Sequence, residues 1–346
     1  MASMQEYEYP LPEEAIAQSP IEPRDAARLL VALGGTVEHR HVRDLADYVR
    51  PGDVIVVNET RVLPARLRLR KPTGGAAEVF LLERDPVTAV WEALVRPSKK
   101  IAVGTRLEAG PDLTVEVGER LASGNRAVRL LGADLLQHPD EMAALAVYGS
   151  TPLPPYITAP LADAGRYQTV FARLPGSVAA PTAGLHITES VLDACRAAGA
   201  QLHVVDLAVG LDTFRPVTAE RPEDHQIHSE LYAVPSATME ACNAARAGGA
   251  RVIAIGTTAT RALESVAATG EFAGRTRLFI HGHYEFQVVD LMMTNFHLPR
   301  SSLLLMLDAF AGPRWRELYE CALDNRYRFL SFGDAMLVDR IARRVR

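Results

Sequence analysis

Cysteine is scarce in this chain of 346 residues: Cys195, Cys242 and Cys321 are scattered and odd in number. That argues against a disulfide framework and predicts a reducing, cytoplasmic setting. None of the three has a paired spacing that suggests zinc. No run of about 18 apolar residues occurs, so no membrane-spanning helix is expected. The opening MASMQEYEYPLPEEAIAQ has neither a basic start nor an apolar core, and no signal peptide is expected. An excess of positive charge is missing too. The formal net charge is −5, which counts against a general nucleic-acid binder. Three local basic clusters, Arg66, Arg68, Arg70, Lys71, then Arg96, Lys99, Lys100, then Arg340, Arg343, Arg344, Arg346, read as solvated faces. Neither G-x-G-x-x-G nor G-x-x-x-x-G-K-[ST] is found, so a Rossmann dinucleotide site and a P-loop are unsupported. A G-x-S-x-G elbow is also absent, which removes the main signal for a serine hydrolase. No H-E-x-x-H or facial-triad pattern appears, and no metal is expected.

What is present is ordinary globular composition, 48% hydrophobic and 23% charged, in a chain long enough for two domains. Residues 64–149 hold short β-like runs about ten residues apart: ARLRLRK, AEVFLLER, VWEALVR, TRLEAG, LTVEVGE and AVRLLG. Turn signals separate them, which predicts a small antiparallel β-barrel-like unit closed by a short helix, DEMAALAVYG. Residues 1–63 and 150–346 read as an α/β domain with a mixed or parallel sheet, into which that unit is inserted. Strands are expected at 52–62, 200–209, 251–256, 277–281 and 288–294. Helices are expected at 189–198, 236–247, 260–268 and 301–310, with Thr188 and Ser301 as N-caps and Gly199 and Gly312 as stops.

Segment 150–187 stands apart. It is rich in proline and too irregular for helix or strand, and long ordered loops in compact proteins are usually functional. Other polar loops follow expected strands, where α/β sheets gather ligands. They are VGLDTFRPV with Gly210 and Thr213, GTTATRALES with Thr257, Thr258 and Arg261, HGHYEF, and TNFHLP with Asn295 and His297. The GTT turn leads into a helix whose first N–H groups suit a carboxylate or phosphate, while capping by a threonine hydroxyl is the simpler alternative. Histidine suits proton transfer at neutral pH, and EDHQIHSE places His225 and His228 beside Asp224 and Glu230.

Taken together these loops resemble the S-adenosylmethionine:tRNA ribosyltransferase-isomerases of queuosine biosynthesis over the full length. The resemblance rests on YPLPEEAIAQSP, RDAARLLV, VNETRVLPARL, VRPSKKIAVG, TPLPPYI, YQTVF, GSVAAPTAGLH, DHQIHSE, VIAIGTTATRALES, VVDLMMTNFHLP, AFAG and YRFLSFGDAM. It implies a large α/β domain with an inserted β-barrel and a reaction in which S-adenosyl-L-methionine is the ribosyl donor. The ribosyl group would pass to 7-aminomethyl-7-deazaguanine at the tRNA wobble position, giving epoxyqueuosine with release of adenine and methionine. A base must then remove a C5′ proton acidified by the sulfonium, and a donor must assist departing adenine. Candidates are His186, His225, His228, His297 and Asp224. Arg261, Thr257 and Thr258 are expected to hold the methionine carboxylate. Asn58, Thr60, Arg61, Thr182, Gly184, Gly210, Thr213, Asn295 and Asp334 are the further candidates for binding substrate. Tyr156, Tyr167, Phe214 and Tyr284 are candidate stacking platforms for a splayed base. The chain departs from the family pattern at Ala208, Asp212, Gly282 and His283. Two other readings therefore stay open: a paralogue with a small-molecule acceptor, and a non-catalytic protein binding S-adenosylmethionine or tRNA. A monomer is expected.

Overall fold

The computed structural model describes residues 3–132, 140–210, 213 and 216–341. The departure at Asp212, the aromatic candidate Phe214 and the basic residues Arg343, Arg344 and Arg346 lie outside them. Contacts divide the chain into two units: Met1–Arg61 with Pro154–Leu174 and Ala180–Arg346, and Val62–Leu153 with Pro175–Ala179.

The larger unit is built on nine strands: β1 (Arg28–Leu33), β2 (Thr36–His41), β3 (Val54–Asn58), β4 (Gln201–Leu207), β5 (Glu230–Ala233), β6 (Val252–Ile255), β7 (Ala273–Thr276), β8 (Leu291–Asn295) and β9 (Ala335–Asp339). Their order is β7-β5-β4-β3-β6-β8-β9-β1-β2. The centre, β4-β3-β6-β8, is parallel. Beyond it β9 runs antiparallel to β8 and parallel to β1, so the sheet is mixed. Every residue of β3, β6 and β8 is buried, as expected for parallel strands covered on both faces. The covering helices are α1 (Glu189–Ala197), α2 (Ser236–Ala247), α3 (Thr257–Thr269), α4 (Ser302–Ala311) and α5 (Trp315–Asp324). Thr188 and Ser301 do cap: their hydroxyls accept the N–H groups of Val191 (3.3 Å) and Leu304 (3.2 Å).

Two expected strands begin or lie elsewhere, for one physical reason. Leu278 donates its N–H to Thr276 Oγ1 (3.0 Å), and its carbonyl accepts from Arg261 Nε (3.0 Å). Leu278, inside the run 277–281, therefore has no ladder groups to offer, and β7 is Ala273–Thr276 just before it. Likewise Gln287, Val288 and Val289 give their N–H groups to Glu264 (2.9, 2.9 and 3.1 Å), so β8 starts only at Leu291.

The smaller unit is a closed antiparallel barrel of six strands: Arg66–Arg70, Ala76–Arg84, Trp91–Arg96, Arg126–Leu131, Leu113–Arg120 and Arg106–Gly110, the last pairing back to the first. The six sequence runs map onto these six strands. Alternation explains the closure: Leu67, Leu69, Val79, Leu81, Val115, Val117, Val128 and Leu130 are buried, and closure leaves no free edge. The short helix Glu141–Tyr148 is capped by Asp140, which accepts from Ala143 N–H (3.1 Å). Among the described residues no helix is long and apolar enough to cross a membrane.

Candidate active site

The parallel strands β3, β6 and β8 deliver their carboxyl ends to one edge of the sheet, where ligands collect in α/β folds. Two adjoining cavities open there within the larger unit, with volumes of about 300 and 340 Å³ including their mouths. Thr182, Thr213, Asn295, His297 and Leu303 line both.

Asn295 ends β8 and organises one wall. Its Oδ1 accepts from Thr182 Oγ1 (2.9 Å), and its Nδ2 donates to His186 Nε2 (3.0 Å) and to the Asp334 carbonyl (3.3 Å). An accepting Nε2 leaves the proton of neutral His186 on Nδ1. Asp334 is itself buried, its carboxylate accepting the N–H groups of Arg28 (2.9 Å) and Arg328 (2.8 Å). Gly184 lies in the 3₁₀ turn Thr182–His186. A Cβ there would meet the Phe171 ring at 2.7 Å, so the turn that carries His186 requires glycine.

His297 is held at both backbone groups. Its N–H donates to Tyr319 Oη (2.8 Å) and its carbonyl accepts from Tyr9 Oη. Its Nε2 meets Thr294 Oγ1 at 2.9 Å. Both histidines are buried, and burial pushes each pKa down to about 3, with Arg328, Arg166 and Arg24 adding to the effect at His186. Both are therefore neutral at physiological pH. Because the folded-state pKa lies below the unfolded value of about 6.5, the unfolded chain binds the extra protons between these limits. Stability is thus full above about pH 6.5 and is lost as pH falls toward 3, by up to ~1.4 kcal/mol per pH unit for each histidine. The His297→Asn variant should show a shallower loss of unfolding free energy between pH 6 and pH 4 in urea titrations; an unchanged slope would contradict the burial argument.

The start of α3 forms the floor of the second cavity, with Gly256, Thr257 and Thr258. Gly256 has φ 96°, and no side chain caps the helix. The hydroxyl-capping alternative is therefore not what the fold uses. Thr258 Oγ1 is buried and has no partner. Free N–H groups and an unpartnered hydroxyl together make a place for an anionic group.

Other candidates lie elsewhere. Arg261 is already engaged: Nη1 on Glu230, Nε on the Leu278 carbonyl (3.0 Å) and Nη2 on the His228 (3.1 Å) and Thr276 (3.4 Å) carbonyls. Glu230 also accepts from Gly210 N–H (3.0 Å) and Thr213 Oγ1 (3.3 Å), so this cluster braces the loop after β4. Asp224 and His228 are exposed. Asp224 pairs with Arg221 at 2.8 Å, and His225 packs edge-on against Phe279. None of these three lines either cavity. Buried Asn58 bonds both backbone groups of Leu207 and the Thr60 N–H, tying β3 to β4. Thr60 is buried and Arg61 exposed, and neither is among the lining residues. Of the aromatic candidates, Tyr156 lines the first cavity and bonds Ser331 Oγ at 2.7 Å. Tyr167 is core against Phe332, and Tyr284 packs on Phe286. The departures at Gly282 and His283 are likewise outside the lining residues. Thr294, the first residue of TNFHLP, supports the site, as do Tyr9, Tyr319 and Ser331, which were not among the candidates. Tyr9 and Ser331 had a signal in their places in YPLPEEAIAQSP and YRFLSFGDAM, and Tyr319 had none.

A family model described as queuosine biosynthesis protein matches residues 4–338. The chain belongs to the queuosine biosynthesis protein family. A Thermus thermophilus relative is 48% identical across 98% of this chain and 100% of its own length. One from Rubrobacter xylanophilus is 49% identical across 96% of each. Both are named S-adenosylmethionine:tRNA ribosyltransferase-isomerase. The crystal structure of S-adenosylmethionine tRNA ribosyltransferase from Thermotoga maritima superposes with a TM-score of 0.55 at 36% identity, covering 96% of this chain and 99% of that one. The mixed α/β sheet and barrel are thus those of the queuosine biosynthesis family, and the cavities lie among the segments GSVAAPTAGLH, VIAIGTTATRALES and VVDLMMTNFHLP.

Proposed function

We propose that this protein is an S-adenosylmethionine:tRNA ribosyltransferase-isomerase that works in the cavities at the carboxyl ends of β6 and β8. The observation that carries the site is the uncapped start of α3 with the unpartnered Thr258 hydroxyl, next to the Thr182–Asn295–His186 chain and His297. The α-carboxylate of S-adenosyl-L-methionine sits at Thr257 and Thr258, where helix N–H groups and a hydroxyl donate to it. The sulfonium and ribose then lie against Asn295 and His297. His297 is neutral, so its lone pair is available to receive the acidified C5′ proton, with Thr294 Oγ1 fixing the ring. Once it holds the C5′ proton, His297 is an imidazolium, and that proton is the one it can return to departing adenine. The hydroxyls of Thr182, Thr213 and Tyr156 on the walls can hydrogen-bond the leaving base without giving up their protons. Tyr156 offers a face for the 7-deazaguanine base of the tRNA acceptor, and base stacking of this kind is worth ~1–3 kcal/mol.

Incubation with S-adenosylmethionine, with and without tRNA carrying 7-aminomethyl-7-deazaguanine, tests the reading. Adenine, methionine and epoxyqueuosine should appear together and only with that tRNA. Binding of S-adenosylmethionine without their release would refute it. The Thr258→Val variant should raise KM for S-adenosylmethionine about tenfold or more, since a hydrogen bond to a charged group is worth ~1.5–3 kcal/mol. Because the contact is made equally in ground and transition states, kcat should barely move. An unchanged KM would remove Thr258 from the carboxylate site.

A further inference from the structure

A third cavity, of about 210 Å³, lies in the same unit and is lined by Arg24, Arg166, His186 and Ser331 among others. Its charges are unbalanced. Arg24 hydrogen-bonds no carboxylate, although Glu22 and Asp163 lie near enough to act on its charge: Nη1 donates to the Gln168 (2.6 Å) and Leu185 (3.3 Å) carbonyls and Nη2 to that of Gly165 (3.0 Å). Arg166 pairs through Nε with exposed Glu22 and gives Nη2 to the Ile21 carbonyl (2.7 Å), while its Nη1 is buried without a partner. Nearby Arg328 also keeps a buried Nη2 without a partner, and its nearest carboxylate, Asp334, is 3.9 Å from Nε. All three guanidinium groups act on His186. A buried guanidinium nitrogen aimed at no acceptor is costly, and an oxyanion is the group that satisfies it.

We infer that this cavity binds a backbone phosphate of the RNA acceptor beside the wobble nucleotide. The inference rests on the reaction proposed above. Ser331 lines both this cavity and the first reaction cavity, and His186 is joined through Asn295 to the wall of both reaction cavities. The two substrates bring two kinds of anion to this neighbourhood. The donor's carboxylate has its place at the start of α3. The unpartnered Nη1 of Arg166 is left for the phosphodiester, to which it can donate a charge-assisted hydrogen bond, with the positive charge of Arg24 beside it. Seated there, the backbone fixes the register of the RNA while the base enters the neighbouring cavity.

The Arg166→Gln variant tests this through the salt dependence of tRNA affinity. Loss of one phosphate contact should lower the slope of log K against log salt by about 0.7–1 and weaken binding about tenfold at low salt. KM for S-adenosylmethionine should not change. The Arg166→Lys variant keeps the charge and should restore the slope, although not the full affinity, a rescue that a merely structural role would not give. Inorganic phosphate alone should raise the melting temperature of the wild type more than that of Arg166→Gln. An unchanged tRNA slope in Arg166→Gln, equal phosphate stabilisation of both proteins, or a raised KM for S-adenosylmethionine with tRNA binding intact would each overturn the assignment. The last would give the cavity to the donor's carboxylate. Failure of the proposed reaction is a separate result: wild-type protein would release no adenine with the modified tRNA.

Discussion

Replacing Asn295 with leucine is expected to lower turnover ~10²-fold, the loss associated with misplacing a reactant, since the proposed site seats the donor's ribose against this amide. The amide accepts from Thr182, donates to His186 and bonds the Asp334 carbonyl. It joins the Thr182 hydroxyl, on the wall shared by both cavities, to the His186 imidazole, which lines the third cavity. Leucine is close in volume, so the pocket stays filled while the polar chain is cut. His186 is then left buried with an unsatisfied Nε2, which costs a further ~1–3 kcal/mol of stability. Rapid-quench measurement of adenine release separates the two effects, because a destabilised but folded enzyme retains its single-turnover rate. A wild-type rate in folded Asn295→Leu protein would show that the chain from Thr182 to His186 serves packing alone.

The largest loss of stability is expected at Glu264. This carboxylate is fully buried and accepts three consecutive backbone N–H groups, Gln287 to Val289, as well as the Tyr284 hydroxyl (3.3 Å). The Glu264→Leu variant strands all three N–H groups. At ~1–3 kcal/mol for each unsatisfied buried donor, the loss in unfolding free energy should be at least about 3 kcal/mol. Glu264→Gln keeps one accepting oxygen and should lose less. Urea unfolding of the two variants measures this directly. A loss below about 1 kcal/mol in Glu264→Leu would mean that the 284–289 segment finds other acceptors.

The same carboxylate shows what a sequence conceals. The barrel was legible because its six strands alternate apolar and polar residues at even spacing between turn residues, so local pattern and global closure agree. The caps at Thr188 and Ser301 were legible for a similar reason, since a hydroxyl just before an apolar helix has one good use. The apolar runs at 277–281 and 288–290 misled, because Arg261 and the neighbouring Thr276 engage both backbone groups of Leu278, and Glu264 takes the N–H groups of Val288 and Val289. The site divides along the same line. His186, Asn295, His297, Thr257 and Thr258 sit at strand ends or in turns whose direction the α/β pattern dictates. The carboxylate and imidazoles of DHQIHSE had equally suitable chemistry, but nothing local indicates that Asp224 turns to Arg221 or that Arg261 is pinned by carbonyls. Arg24 and Arg166 lay inside recognised or neighbouring segments without drawing notice, because their convergence on one cavity exists only in three dimensions.

The position of β1 in the sheet also dictates a timetable. It is flanked by β2, its immediate successor, and by β9, roughly 300 residues further along. A growing chain therefore carries a lone two-stranded ribbon, which is marginal in water by itself. Leu29, Leu30 and Val31, all buried in the finished fold, wait beside an open edge of the kind that recruits foreign strands. At ~5–20 residues per second of synthesis the wait is on the order of tens of seconds. Residues 335–339 thus act as the latch of the whole assembly. The birth of the enzyme, rather than its working life, is when this edge most needs a chaperone's cover.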